Sequence, residues 1–85
     1  MIKYKSKKHY TYIVECADGT YYTGYTTDVE RRVKEHNQGK GAKYTKARKP
    51  VALLHYEEFK TRSEAMKREY EIKNLSRQEK EAIIE

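Results

Sequence analysis

Residues 20–37 constrain the fold most, because a strand pattern passes there directly into a helix pattern. Residues 20–25 consist of tyrosine, threonine and one glycine, which is typical of a β-strand. The helix is predicted over residues 28–37, with Thr27 or Asp28 as its N-cap.

The predicted helix carries two ionisable residues where apolar ones are expected. Val29 and Val33 lie one turn apart and mark its inward face. Arg32 and His36 fall beside or between these valines rather than on the solvated face. Burying a guanidinium or an imidazole is costly unless the group is used. For His36 both a hydrogen-bonded structural imidazole and a functional one remain open.

Another strand is predicted over residues 10–16, before the strand at residues 20–25. The turn that joins these two strands decides which of their tyrosines share a face. A two-residue turn would place Tyr12 and Tyr22 on opposite faces of the hairpin. A three-residue loop with Gly19 in the left-handed conformation places them on the same face. We predict the three-residue loop over residues 17–19. Taken alone, two strand tyrosines are more typical of a core than of a catalytic site.

After the helix, residues 38–49 are basic and contain no acidic residue. Gly39 and Gly41 disfavour a helix, so a basic loop with an embedded tyrosine is predicted. A solvated run of charge is one explanation, and a surface that binds phosphate is the other. The candidate nucleic-acid contacts in this loop are Lys40, Lys43, Tyr44, Lys46 and Arg48.

The remainder of the chain completes an α+β pattern. A third strand is predicted over residues 51–59, and the capping box at residues 61–64 begins a helix that ends near residue 74. A second capping box at residues 76–79 begins a final helix. The order β-β-α-β-α-α predicts a small three-stranded, mainly antiparallel sheet flanked by helices. Residues 9–85 form this one domain, after a basic flexible tail at residues 1–8.

Glu69 is the third ionisable residue in an unexpected place. Ala65 and Ile72 mark the inward face of the second long helix, and Glu69 lies between them. A lone glutamate on a buried stripe is costly unless it meets a cation. A structural ion pair with Arg32 and a bound metal ion are both open explanations. In the final helix, Ala82 and Ile83 are predicted to face inward.

Composition narrows the class of partner. The net charge of +6 and the pI of about 9.4 favour polyanionic partners such as nucleic acid. No long apolar run indicates membrane insertion, and no signal peptide is apparent, so a cytoplasmic location is expected. The lone Cys16 excludes an internal disulfide, fits a reducing compartment and cannot form a zinc site by itself.

Several of these residues stand in a pattern that resembles the GIY-YIG nuclease superfamily, and most closely its short UPF0213 group. The resemblance covers residues 10–75, most of the chain, and implies the GIY-YIG fold. The helix arginine and the residue one turn later correspond to Arg32 and His36, and the family glutamate corresponds to Glu69. The two motifs that name the family stand here as Tyr10-Thr11-Tyr12 and Tyr22-Thr23-Gly24.

The resemblance implies a metal-dependent endonuclease that hydrolyses DNA phosphodiester bonds, with branched or damaged DNA as the candidate substrate. A single divalent ion, Mg²⁺ or Mn²⁺, is expected, with Glu69 as its only protein ligand. Arg32 is expected to bind the scissile phosphate. A protein partner that supplies targeting is a further expectation, because small junction-cutting relatives often depend on a partner subunit.

The resemblance also assigns the remaining site residues. Tyr22 is expected to act as general base or to orient the attacking water, and Tyr12 and His36 to assist proton transfer. Gly24 is expected to let the backbone approach the phosphate.

The chain departs from the family pattern at two positions. Tyr10 stands where the first motif has glycine, and Tyr25 stands where many members have lysine. Two other functions therefore stay open: a non-catalytic nucleic-acid-binding module that retains the fold, and a protein–protein adaptor. The enzyme is favoured because all five expected catalytic residues are present, namely Tyr12, Tyr22, Arg32, His36 and Glu69.

Overall fold

The computed structural model describes residues 8–85. The predicted tail lies outside this range except for Lys8, whose exposed Nζ is 2.9 Å from Oε2 of Glu58. Within residues 8–85, every helix is too short or too polar to span a membrane. The elements are β1 (His9–Glu15), β2 (Tyr21–Thr26), α1 (Val29–Asn37), α2 (Lys43–Lys46), β3 (Ala52–Phe59), α3 (Arg62–Lys73) and α4 (Arg77–Ile84).

The predicted α+β class and the three-stranded sheet are confirmed. The strand order is β2-β1-β3, and both pairings are antiparallel. The central strand β1 is the most buried element, and Ile13 and Val14 are both fully inaccessible. The one element that was not predicted is α2, a single helical turn inside the basic segment. It begins after Gly41, where the carbonyl oxygen of Ala42 accepts from the amide of Lys46 at 3.1 Å.

The hairpin has the predicted three-residue loop. The amide of Cys16 donates to the carbonyl oxygen of Thr20 at 2.7 Å, and Gly19 has a φ of +83°. Tyr12 therefore pairs with Gly24, and Tyr22 lies on the same face of the sheet as Tyr12.

The two faces of the sheet pack against different helices. Tyr12 and Val14 point towards α1 and form a core cluster with Cys16 and Val51, on which Val33 packs. On the other face, α3 lies against β1, where the Thr11 hydroxyl donates to the carbonyl oxygen of Ala65 at 2.6 Å. The packing on each face of the sheet involves few residues, which is expected of a chain this short.

The capping boxes at Thr61 and Ser76 are present as predicted and begin α3 and α4. The predicted inward residues of α3, Ala65 and Ile72, are fully buried. The prediction for α4 was wrong in part, because Ala82 is exposed. Its inward side is instead formed by half-buried Lys80, Ile83 and Ile84, which share one helical face.

Asn37, at the end of α1, fixes that helix to the start of β3. Its Nδ2 donates to the carbonyl oxygen of Val51 at 3.0 Å, and its Oδ1 accepts from the amide of Val51 at 2.6 Å. The side chain thus takes the place of a neighbouring strand for the buried Val51. Because His36 is the preceding residue, this pair of hydrogen bonds also fixes its position.

Replacing Asn37 by alanine leaves both backbone groups of Val51 without these partners. We expect Asn37→Ala to lower the free energy of unfolding by about 1–3 kcal/mol, measured by urea denaturation. Asn74→Ala is the matched control, because the Asn74 side chain makes one exposed hydrogen bond to the carbonyl oxygen of Tyr70. A loss of about 0.5 kcal/mol or less is expected there. Equal losses in the two variants would contradict the role of Asn37.

Candidate active site

Three aromatic side chains from three elements meet on the α1 side of the sheet. The ring centroids of Tyr12 and His36 are 5.8 Å apart, those of Tyr22 and His36 are 5.4 Å apart, and those of Tyr12 and Tyr22 are 6.5 Å apart. Tyr12 and His36 are almost fully buried, whereas Tyr22 is half-buried. The structure thus brings together three of the five predicted catalytic residues in direct contact.

A chain of buried hydrogen bonds runs through this cluster. The Tyr12 hydroxyl lies 2.7 Å from Nε2 of His36, and Nδ1 of His36 lies 2.7 Å from Oγ1 of Thr45. The Thr45 hydroxyl donates to the carbonyl oxygen of Ala42 at 2.9 Å. Tyr12, His36 and Thr45 are each at most 1% exposed. Each side-chain polar atom in this series of hydrogen bonds has a partner, as buried polar groups require.

Arg32 and Glu69 lie within electrostatic range of this chain. The pKa of the Tyr12 hydroxyl is raised to about 12, chiefly by burial. The Arg32 guanidinium acts to lower this pKa, and Tyr22 and Glu69 act to raise it. Burial lowers the pKa of His36 below 6.5 and the Arg32 charge lowers it further, so His36 is neutral at pH 7. The site therefore holds a protonated phenol beside a neutral imidazole.

An ion pair between Arg32 and Glu69, one of the two explanations left open for Glu69, does not form. Nη1 of Arg32 is 3.0 Å from Oε1 of Glu35, and Oε2 of Glu69 is 3.1 Å from Nζ of Lys73. Each pair is closed within one helix, and Lys73 is itself half exposed. Arg32 and Glu69 are therefore not joined by a direct bond.

Glu69 has the character of a lone carboxylate ligand. Its side chain is only 15% exposed, and residues 8–85 contain no cluster of three or more histidine, cysteine or acidic residues that could hold a metal. Mg²⁺ retains most of its water and needs only one or two carboxylates when a substrate phosphate completes its shell. A single carboxylate at Glu69 is enough for such a hydrated ion. It is not enough for an ion whose ligands all come from the protein.

Two glycines allow the aromatic rings to lie against the backbone. A Cβ at Gly24 would collide with the Tyr12 hydroxyl and would be 2.6 Å from Cζ of Tyr12. A Cβ at Gly41 would collide with Nδ1 of His36 and would be 2.8 Å from Cε1 of His36. Glycine at position 24 thus makes room for the Tyr12 ring.

The basic segment lies next to the cluster. Tyr44 is 37% exposed and stacks on Tyr22, with ring centroids 5.9 Å apart. Arg48 covers the Tyr44 ring at 3.9 Å and is also 3.1 Å from Oδ2 of Asp18, so its charge is partly neutralised. In the described part of the chain no acidic side chain forms an ion pair with the exposed residues Lys40, Lys43 and Lys46. Lys43, Tyr44, Lys46, Ala47 and Arg48 line an open groove of about 680 Å³.

Tyr25, the departure from the family pattern, lies away from the site. It pairs with Thr11 on the opposite face of the sheet from Tyr22, and its hydroxyl is 2.7 Å from Nδ1 of His9. A side chain at this position points away from Tyr12, so the missing lysine does not alter the cluster. This placement follows from the two-residue period of a strand.

Sequence reasoning missed Thr45 and Gly41 as parts of the site. Neither residue lies on a periodic stripe, and both reach His36 only because α2 folds back against α1. Their contact with His36 is a tertiary one, which residue spacing alone does not reveal.

His36 should make folding stability depend on pH. In the unfolded chain a histidine takes up a proton as the pH falls below about 6.5, whereas folded His36 resists protonation. The unfolded state then binds more protons, so the free energy of unfolding should fall between about pH 7.5 and pH 5.5. Urea denaturation of His36→Gln should show a smaller fall than the wild type. An equal fall in both proteins would contradict the buried neutral imidazole.

Comparison with known proteins places the chain in a family. The family model described as the GIY-YIG catalytic domain matches residues 8–82. A UPF0213 protein of Halobacterium salinarum is 67% identical over 76 residues, which cover 89% of this chain and 99% of that protein. A UPF0213 protein of Staphylococcus haemolyticus is 63% identical over 78 residues, covering 92% of this chain and 95% of that protein.

Two solved structures are similar in fold as well as in sequence. The solution NMR structure of a UPF0213 protein of Bacillus halodurans is 56% identical, with a TM-score of 0.59 over 91% of this chain and 82% of that chain. That of a protein of E. faecalis is 52% identical, with a TM-score of 0.62 over 92% of this chain and 83% of that chain. The chain therefore belongs to the GIY-YIG family, where it is similar to the short UPF0213 proteins.

Proposed function

We propose that the protein is a metal-dependent endonuclease that hydrolyses DNA phosphodiester bonds, with branched or damaged DNA as its substrate class. One observation carries the proposal. The side chains of Tyr22, Arg32, His36 and Glu69 come from β2, α1 and α3, yet all contact Tyr12 or influence its hydroxyl electrostatically. Family membership supports a nuclease, and this convergence supports retention of its machinery.

Arg32 and Glu69 are proposed to act on the phosphate from two sides. Arg32 is half-buried and pairs with Glu35 through Nη1, so its other guanidinium donors can bind phosphate oxygens. Glu69 would hold one divalent cation, Mg²⁺ or Mn²⁺, which when bound supplies positive charge at the phosphate and the leaving oxygen. Lys73, the only ion-pair partner of Glu69 among residues 8–85, is exposed enough to move aside.

The tyrosines are proposed to handle the attacking water. Tyr22 is the more accessible of the two, so its hydroxyl is the one that a substrate reaches first and that can orient the water. Tyr12 and His36 form the route for the proton behind it. As the Tyr12 oxygen accepts a proton from water, its own proton passes to Nε2 of His36, 2.7 Å away, which becomes an imidazolium.

DNA is proposed to bind along the groove beside Tyr44. Lys43 and Lys46 are exposed on α2, and a strand bound there would pass close to Tyr22, on which Tyr44 stacks. Lysines that contact phosphates give affinity without sequence preference. Backbone-dominated binding of this kind suits an enzyme that acts on the shape of a branched substrate.

A non-catalytic nucleic-acid-binding module is the second candidate function. The observation that favours it is the near-complete burial of Tyr12 and His36, because a structural hydrogen bond needs no access to substrate. Such a module would bind DNA with strong salt dependence and leave it intact.

The test is nicking of supercoiled plasmid and of a branched DNA by wild type, Glu69→Gln and Glu71→Gln, with Mg²⁺ or EDTA. Glu71→Gln is the matched control, since Glu71 lies on the same helix but is 49% exposed. We expect cleavage by wild type and Glu71→Gln in Mg²⁺, none in EDTA, and a loss of about 100-fold or more in Glu69→Gln.

Each other outcome is informative. Wild-type activity in Glu69→Gln would remove Glu69 from the mechanism. Salt-sensitive binding with no cleavage by any of the three proteins would replace the nuclease by the binding module. Activity that appears only with a protein partner added would favour an enzyme that depends on that partner for targeting.

A further inference from the structure

The one-turn helix α2 determines which ring nitrogen of the buried His36 carries the proton. A neutral imidazole carries its proton on either Nδ1 or Nε2, and the hydrogen bond at the other nitrogen sets which. Thr45 provides the partner at Nδ1, and Tyr12 provides the partner at Nε2. The direction in which all these hydrogen bonds donate therefore depends on the Thr45 hydroxyl.

The Thr45 hydroxyl has only one proton to donate. It lies 2.9 Å from the carbonyl oxygen of Ala42, which can only accept. If the hydroxyl proton pointed at His36 instead, two oxygens without a proton between them would face each other in a buried site, which is costly. The hydroxyl therefore donates to Ala42 and accepts from Nδ1–H of His36.

The consequence reaches Tyr12. With the proton of His36 on Nδ1, Nε2 carries a lone pair and accepts from the Tyr12 hydroxyl at 2.7 Å. The opposite tautomer would donate to the Tyr12 oxygen and would have no capacity to take its proton. The orientation set at Thr45 is thus the one that lets His36 serve as the proton acceptor.

The backbone around Thr45 holds the imidazole in place. Gly41 lies against the His36 ring so closely that a Cβ would collide with Nδ1. Thr45 is fully buried, although Lys43, Tyr44 and Lys46 on the same turn are exposed. One short turn therefore directs its charged side chains outward and a single hydroxyl inward onto His36.

We propose that Thr45 is a positioning residue that holds His36 in the Nδ1–H tautomer, so that Tyr12 donates its proton to Nε2. This inference rests on the proposed function for its catalytic meaning. Its structural content, the tautomer, can be measured without any activity. Thr45 is fully buried against His36, so we expect it to act through His36 alone.

The direct test is the ¹⁵N NMR spectrum of His36 in the wild type, Thr45→Val and Thr45→Ser. We expect Nδ1 to be the protonated nitrogen at neutral pH in the wild type and in Thr45→Ser, which keeps the hydroxyl. Thr45→Val keeps the shape and removes the acceptor, so the Nε2–H form should become populated. A wild-type spectrum with the proton on Nε2 would overturn the proposal, as would an unchanged tautomer in Thr45→Val.

Thr23→Val is the matched control for the loss of a buried threonine hydroxyl. Thr23 is 3% exposed, and its Oγ1 has no hydrogen-bond partner among residues 8–85. The same change of shape and polarity there should leave the His36 tautomer and the nicking rate unaltered. A shift of the tautomer in Thr23→Val as large as that in Thr45→Val would contradict a specific role of Thr45.

Nicking rates complete the test. Thr45→Val should lose at least about tenfold, because a histidine in the wrong tautomer is a poor proton acceptor, and Thr45→Ser should restore the rate. A wild-type rate in Thr45→Val would overturn the catalytic meaning. If the wild type itself does not cleave DNA, the proposed function fails, while the NMR spectra still decide whether Thr45 sets the tautomer.

Discussion

The buried hydrogen bond between Tyr12 and His36 is the constraint on which the rest of the structure depends. Both side chains lie where this small domain excludes water, so each polar atom must find a partner inside the protein. Tyr12 is on the central strand and His36 is on α1, and the bond therefore fixes the helix over the sheet. Thr45 closes the far end of the chain and thereby docks α2. A polar connection thus organises a domain with few apolar residues to bury.

Positions around this bond follow from backbone geometry. The three-residue hairpin loop places Tyr22 on the same face as Tyr12, and Gly24 leaves space for the Tyr12 ring. Asn37 fixes the end of α1 to Val51 and so sets the depth of His36. The chemistry of the site and the stability of the fold therefore use the same contacts, and changes at the site are expected to affect both.

Local signals in the sequence were sufficient for the strands, both capping boxes, the hairpin loop and the shared face of the two tyrosines. These signals were not sufficient where the partner of a side chain is set by contact between distant parts of the chain. No periodicity reveals that Thr45 folds back onto His36, or that Arg32 pairs with Glu35 rather than with Glu69. Ala82 is exposed because α4 turns Lys80, Ile83 and Ile84 inward, a choice of face that its own sequence does not specify. The face of Tyr25, by contrast, follows from the hairpin register and the strand period.

In the proposed function, the Tyr12–His36 bond carries a proton during hydrolysis, in addition to its structural role. The most direct measurement is the single-turnover cleavage rate of Tyr12→Phe on a branched DNA in Mg²⁺, with DNA affinity determined in parallel. This change removes one oxygen atom and leaves the ring over Gly24. The account predicts a rate lower by about 100-fold or more with unchanged DNA affinity. Cleavage at the wild-type rate by the folded variant would show that the bond is structural alone.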